Sequence, residues 1–120
     1  MKTNHITIII IFAFIVFLST SCMENAKIQV QNKVHNVKLE KISWDDYNLY
    51  QTLIPGQISD ECTISDYDNE WPKKGKLKFY MVSDDKSVYL ETQASYELGH
   101  DETLVIVISD TTKVVNPLLE

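Results

Sequence analysis

The residues of this chain best suited to chemistry crowd into "SDECTISDYDNEW", Ser59 to Trp71. Asp66, Asp68 and Glu70 recur there at every second position. That spacing imitates the first half of a calcium loop, in which oxygen ligands at positions one, three and five suit a hard divalent cation. The second half breaks the pattern. Trp71 stands where the sharp turn needs glycine, and Leu77 where the bidentate glutamate belongs, so no metal is expected. The same loop carries two aromatics that could stack on a sugar ring while carboxylates accept its hydroxyl hydrogens. Tyr67, Trp71, Asp66 and Asp68 are therefore the expected ligand-binding set. The competing role for Trp71 is structural, as a lid over the open end of a sandwich.

Catalytic signatures are missing. The chain contains no G-x-S-x-G elbow, no H-E-x-x-H and no glycine-rich phosphate loop, and it has only three glycines. His35 shares strand parity with Val37 and Leu39, which makes it a strand residue rather than a base. His100 sits in a turn beside Asp101. Carboxylates are plentiful, but no acid–base pair stands out. No catalytic residue and no cofactor are expected. In "QISDECTI", Ile58, Cys62 and Ile64 share one parity, which makes Cys62 a small inward hydrophobe rather than a reactive thiol.

The elements that must hold these residues alternate with a period of two, the mark of strands with one face on a core and one in water. Ile28 and Val30 face one way in "KIQVQ"; Leu77, Phe79 and Met81 do so in "KLKFYMVS". In "SVYLETQASY", Val88, Leu90, Thr92, Ala94 and Tyr96 share a face. "TLVIVIS", Thr103 to Ser109, is apolar on both faces, which predicts the most central strand. "SDDKS" and "LGHDE" read as hairpin links, and a last short strand is expected at Lys113 to Val115. The stretch "SWDDYNLYQTLIPG" is open to two readings. Ser43 with Asp46 would cap a helix ended by Pro55-Gly56; the alternation of Tyr47, Leu49 and Leu53 and the aromatic density suit a strand. The regular spacing of turns favours the strand.

The amino-terminal end has a different character. Lys2 precedes an almost wholly apolar run, Ile6 to Leu18, and small polar residues lead to Cys22. The thirteen residues of this run fall short of the ~20 that a helix needs to span a bilayer core. A basic start, a short apolar core and a small-residue exit predict a secretory signal peptide. The stretch "LSTSC" resembles a bacterial lipobox, with Leu18 one residue further from the cysteine than that family prefers. The resemblance implies cleavage before Cys22, a thioether-linked diacylglycerol on its sulfur and an acyl group such as palmitate on the new amino terminus. Each buried methylene contributes about 0.8 kcal/mol, so two or three chains hold a protein on a membrane. Met23, rather than aspartate, follows the cysteine; in diderm bacteria that pattern favours transfer to the outer membrane.

Three segments result: a signal peptide at 1–21, a lipidated tether at 22–26 and a single domain at 27–120. Losing Lys2 moves the formal charge from −6 to −7. With no arginine anywhere, an acidic chain is poorly suited to nucleic acid. The expected fold is all-β, a single antiparallel β-sandwich of about seven short strands, preceded by the signal-peptide helix. The order of a tryptophan-bearing strand, an L-x-P-G corner at Leu53–Gly56, a three-strand meander and a closing D-T-T resembles small bacterial lipoproteins with an immunoglobulin-like or transthyretin-like sandwich. The expected function is a non-catalytic binding module tethered to the cell envelope through Cys22. Its domain would face the periplasm or cell exterior and take a protein or glycan partner. The alternatives are an immunity or inhibitor protein that blocks a toxin or hydrolase with its acidic face, and a carbohydrate-active enzyme built on the 59–71 loop.

Overall fold

The computed structural model describes residues 24–66 and 70–119; the signal-peptide segment, Cys22, Tyr67 and Asp68 lie outside them. In chain order the strands are β1 (Glu24–Lys33), β2 (Lys38–Trp44), β3 (Tyr47–Asn48), β4 (Cys62–Asp66) and β5 (Lys73–Gly75). They continue with β6 (Leu77–Ser83), β7 (Lys86–Thr92), β8 (Tyr96–Leu98), β9 (Thr103–Ser109) and β10 (Val114–Val115), before a single 3₁₀ turn at Pro117–Leu119. The fold is the all-β sandwich expected. Among the described residues ten strands form where about seven were anticipated, four of them only two or three residues long.

One layer is a five-stranded sheet in the order β10-β7-β6-β2-β3, and the other a three-stranded sheet in the order β4-β1-β9. A small ribbon of β5 and β8 stands apart from both. The strand pairs are antiparallel except β1 with β9, which run parallel. Ile28, Val30, Ile106 and Ile108 of the smaller sheet meet Leu39, Ile42, Trp44, Leu77 and Phe79 of the larger one, and all are buried. Trp44 stacks on Tyr47 across the β2–β3 hairpin, with ring centroids 5.9 Å apart.

"SWDDYNLYQTLIPG" is neither a helix nor a long strand. Asp45 and Asp46 turn β2 back into the two residues of β3. The chain then passes from one sheet to the other. Leu53 exchanges both backbone hydrogen bonds with Leu39 of β2 at 2.8 and 2.9 Å. Beyond the Pro55-Gly56 corner, Gly56, Gln57 and Ser59 bond the main chain of Asn32 and Val30.

That crossing corrects the expected centre of the molecule. β9 is a margin, not the centre: Val105 and Val107 are 46% and 40% exposed on its outer side. The central strand of the smaller sheet is β1. It is flanked by β9 on one side and, on the other, by β4 and then the 56–59 segment.

Three parity expectations also change. A bulge between Glu40 and Ser43, with Lys41 at φ 51°, shifts the buried set of β2 from Leu39 to Ile42 and Trp44. The strand expected through Tyr96 stops at Thr92. The Thr92 hydroxyl donates to the Ala94 carbonyl at 2.8 Å and accepts the Leu77 N–H at 3.0 Å, and Tyr96 resumes in β8, beside β5. Ile58 is exposed while its neighbour Ser59 is buried. The Ser59 hydroxyl accepts the Val30 N–H at 2.9 Å, so the inward parity begins only at Cys62.

Candidate functional site: the tyrosine face of the larger sheet

The outer face of the five-stranded sheet is built by the β6–β7 hairpin and β2. Their register places Glu40 beside Tyr80 and Tyr80 beside Tyr89, with Lys78 beside Glu91 one pair away. The alternation that sends Leu77 and Phe79 inward sends Tyr80 and Tyr89 outward. The two rings meet tilted by 56°, with centroids 5.3 Å apart. This is the favoured offset geometry of an aromatic cross-strand pair. The bulge in β2 turns Lys41 onto the same face, where its Nζ lies 5.2 Å from the centre of the Tyr80 ring.

The Tyr89 hydroxyl donates to Glu91 Oε1 at 3.1 Å. Burial first, and then that hydrogen bond, push the Tyr89 phenol above its ordinary pKa, so it stays a protonated donor across the neutral range. Lys38 and Glu40 pair at 3.0 Å along one rim. Beyond Lys41 lies a hollow walled by Asn48, Tyr50, Gln51 and Thr52, in which Tyr50 is 86% exposed. The face thus offers aromatic surface, two carboxylates, lysine ammonium groups and amides without a deep cleft. Such a surface can recognise a polar partner. It aligns no nucleophile with a base.

The loop singled out from the sequence is described only in part. Asp66 ends β4, its backbone paired with Glu24, whereas Tyr67 and Asp68 fall outside the described residues. Trp71 is half-buried against the core, with its indole N–H buried. One side of its ring meets Lys73, whose Nζ is 5.6 Å from the ring centre, and His100 approaches at 6.5 Å. Trp71 thus closes the sandwich between β4 and β5, beside His100 and Asp101, whose Nε2 and Oδ2 are 3.5 Å apart. Among the described residues no three metal-binding side chains converge.

The remaining candidates are dispersed. His35 is not a strand residue; it lies exposed in the β1–β2 turn. Its main-chain N–H donates to Asp110 Oδ1 at 3.1 Å and its Nδ1 meets Asp110 Oδ2. These two bonds hold the Asp110 carboxyl below its usual range. Cys62 is half-buried against the core, with its sulfur 3.6 and 3.7 Å from the carbonyls of Leu49 and Asp60. Burial pushes this thiol up, the Gln51 amide partly opposes that, and Asp60 reinforces it. A thiol held protonated at neutral pH is a weak nucleophile.

Sequence reasoning missed the tyrosine face because period-two alternation marks Tyr80 and Tyr89 only as outward. The signal that could have found them is the pairing of "KFYMV" with "SVYLE" about the Asp84-Asp85 turn, which sets the two tyrosines opposite each other. Comparison with known proteins returns no matching family model, no matching curated protein and no matching solved structure.

Proposed function

We propose that the chain is a lipid-anchored protein of the bacterial cell envelope, attached through Cys22, whose β-sandwich is a non-catalytic binding module. The outer membrane is the favoured anchor, with the domain in the periplasm or at the cell surface. The observation that carries the recognition half is the paired Tyr80 and Tyr89, flanked by Lys41 and Glu91 on an open sheet face. Aromatic rings with polar tips and rim charges are the usual composition of a contact surface for a protein or glycan. The anchor half is supported by the short apolar run and the small residues before Cys22.

Each half has its own test. Cells fed a labelled fatty acid should yield labelled wild-type protein in the membrane fraction, and Cys22→Ala should abolish both label and membrane retention. Label retained by that variant would refute the anchor. For the face, the double substitution Tyr80→Ala with Tyr89→Ala should remove at least tenfold of the affinity for a partner captured by crosslinking on cells. Ser87→Ala, on the same face, should leave that affinity intact. Equal capture by the tyrosine variant would refute recognition through this face.

A further inference from the structure

Strand β9 borders the smaller sheet, with β1 on one side and, among the described residues, no strand on the other. Parallel pairing turns alternate residues toward the neighbour. The Glu102 carbonyl accepts the Lys27 N–H at 2.9 Å, so the peptide groups of Leu104, Ile106 and Ile108 face β1. Those of Thr103, Val105, Val107 and Ser109 point the opposite way. Ser109 satisfies itself locally: its N–H donates to Thr112 Oγ1 at 2.9 Å, and its carbonyl accepts the Thr112 N–H at 3.2 Å. Three residues, Thr103, Val105 and Val107, remain with main-chain donors and acceptors that open outward and meet no other strand among the described residues.

Sheet edges are ordinarily blunted by a charge, a proline or a bulge. "TLVIVIS" carries none of these, and its outer side chains are half-exposed valines. The three open residues are symmetric about Val105. A strand that satisfies them must present open groups at the same alternate spacing and place no charge among the valines. β9 itself is such a strand.

We propose that β9 pairs with β9 of a second copy of the chain, antiparallel, about a twofold axis through Val105. In that register Val105 faces its own counterpart, and Thr103 of each copy faces Val107 of the other. Each of these pairs exchanges two hydrogen bonds, about six in all. The sliding alternative that sets Val105 against Val107 would need Ser109, whose groups Thr112 already occupies. One register is therefore preferred. The outer face gains a row of β-branched contacts, and the two small sheets become one continuous six-stranded sheet with isologous contacts. The axis stands perpendicular to the sheet, so both β1 strands begin at one height, which suits two tethers in one membrane. The pairing itself does not depend on the anchor.

The test is amide hydrogen exchange on the full chain in detergent over a hundredfold range of protein concentration. The Val105 and Val107 amides should slow at least tenfold as concentration rises, while Leu104 and Ile106, bonded to β1, stay protected throughout. Val105→Pro deletes one outward N–H without touching a bond to β1, and should abolish the concentration dependence and the dimer seen by sedimentation. Val105→Lys keeps the N–H but sets two ammonium groups face to face across the axis, and should do the same. If proline disturbs the strand, the lysine variant decides. Exchange at Val105 and Val107 that is fast at every concentration would overturn the pairing. So would protection that ignores concentration, or a dimer that survives the lysine variant.

Discussion

Asn32 is the buried polar residue on which both sheets depend, and replacing it with aspartate isolates that role without changing its volume. Its side chain is fully buried. The amide nitrogen donates to the carbonyls of Val37 at 2.8 Å and Leu53 at 3.0 Å, and the amide oxygen accepts the Val34 N–H at 3.0 Å. It therefore ties β1 to the start of β2 and to the crossing segment. Asn32→Asp keeps the shape and the bond to Val34, but turns a carboxylate toward two carbonyls, where the side chain's hydrogen-bond partners are all neutral main-chain groups. Losing both donors and burying an unpaired charge should cost about 3–5 kcal/mol at pH 7. That is a large part of the ~5–15 kcal/mol that stabilises a domain of this size. Burial without a partner raises the introduced carboxyl's pKa above the unfolded value of ~3.9. The folded variant then binds its proton more tightly than the unfolded chain does. Stability returns as pH falls through the raised pKa and is lost as pH rises through it. Once protonated, the carboxyl supplies one O–H donor, and the deficit should shrink to about 1–2 kcal/mol. Urea unfolding of parent and variant at pH 7.5 and pH 4.5 measures both gaps. A deficit under ~1 kcal/mol at pH 7.5, or equal deficits at the two pH values, would refute the argument.

Two further perturbations probe the backbone. A Cβ at Gly75 would sit 2.5 Å from Asp45 Cβ and 3.1 Å from the Asp45 backbone, so Gly75→Ala must push main chains apart. It should cost about 1–3 kcal/mol and lower the melting temperature by about 5–15 °C in a thermal scan, and an unchanged transition would contradict the close approach. Asp84 and Asp85 both adopt positive φ, 49° and 64°, in the two-residue turn between β6 and β7. Asp85→Gly suits that turn better and should stabilise the protein by about 0.5–1 kcal/mol in urea titration; any loss of stability would count against it.

The period-two pattern made the inward residues of β1 and β6 legible, because Ile28, Val30, Leu77 and Phe79 sit in unbroken ladders. It failed wherever the ladder is interrupted. The bulge at Lys41 inserts a residue whose positive φ has no sequence mark stronger than a lysine, so Ile42 and Trp44 swap parity unannounced. The hydroxyl of Thr92 ends β7 by bonding the next turn, which reads in sequence as one more inward residue. Asn32 shares the inward parity of Ile28 and Val30, but the sequence does not say which groups a buried amide there would meet. Only the fold brings the Leu53 carbonyl to it across 21 residues of chain. The candidate face was half legible: alternation marks Tyr80 and Tyr89 as outward, but their contact depends on the hairpin register.

The misreading of β9 follows from the same physics and bears on function. An apolar run without alternation is the mark of a strand covered on both faces, because water penalises exposed valine. In one chain the outer side of β9 is uncovered, at Val105 and Val107. A second β9 joins the edge and extends the row of β-branched side chains there, so the strand that reads as central becomes central in the pair. The tyrosine face lies on the opposite layer and stays open in such a dimer. Two copies would then present two identical recognition surfaces from one scaffold, and a partner with repeated epitopes would be held more tightly than by either alone.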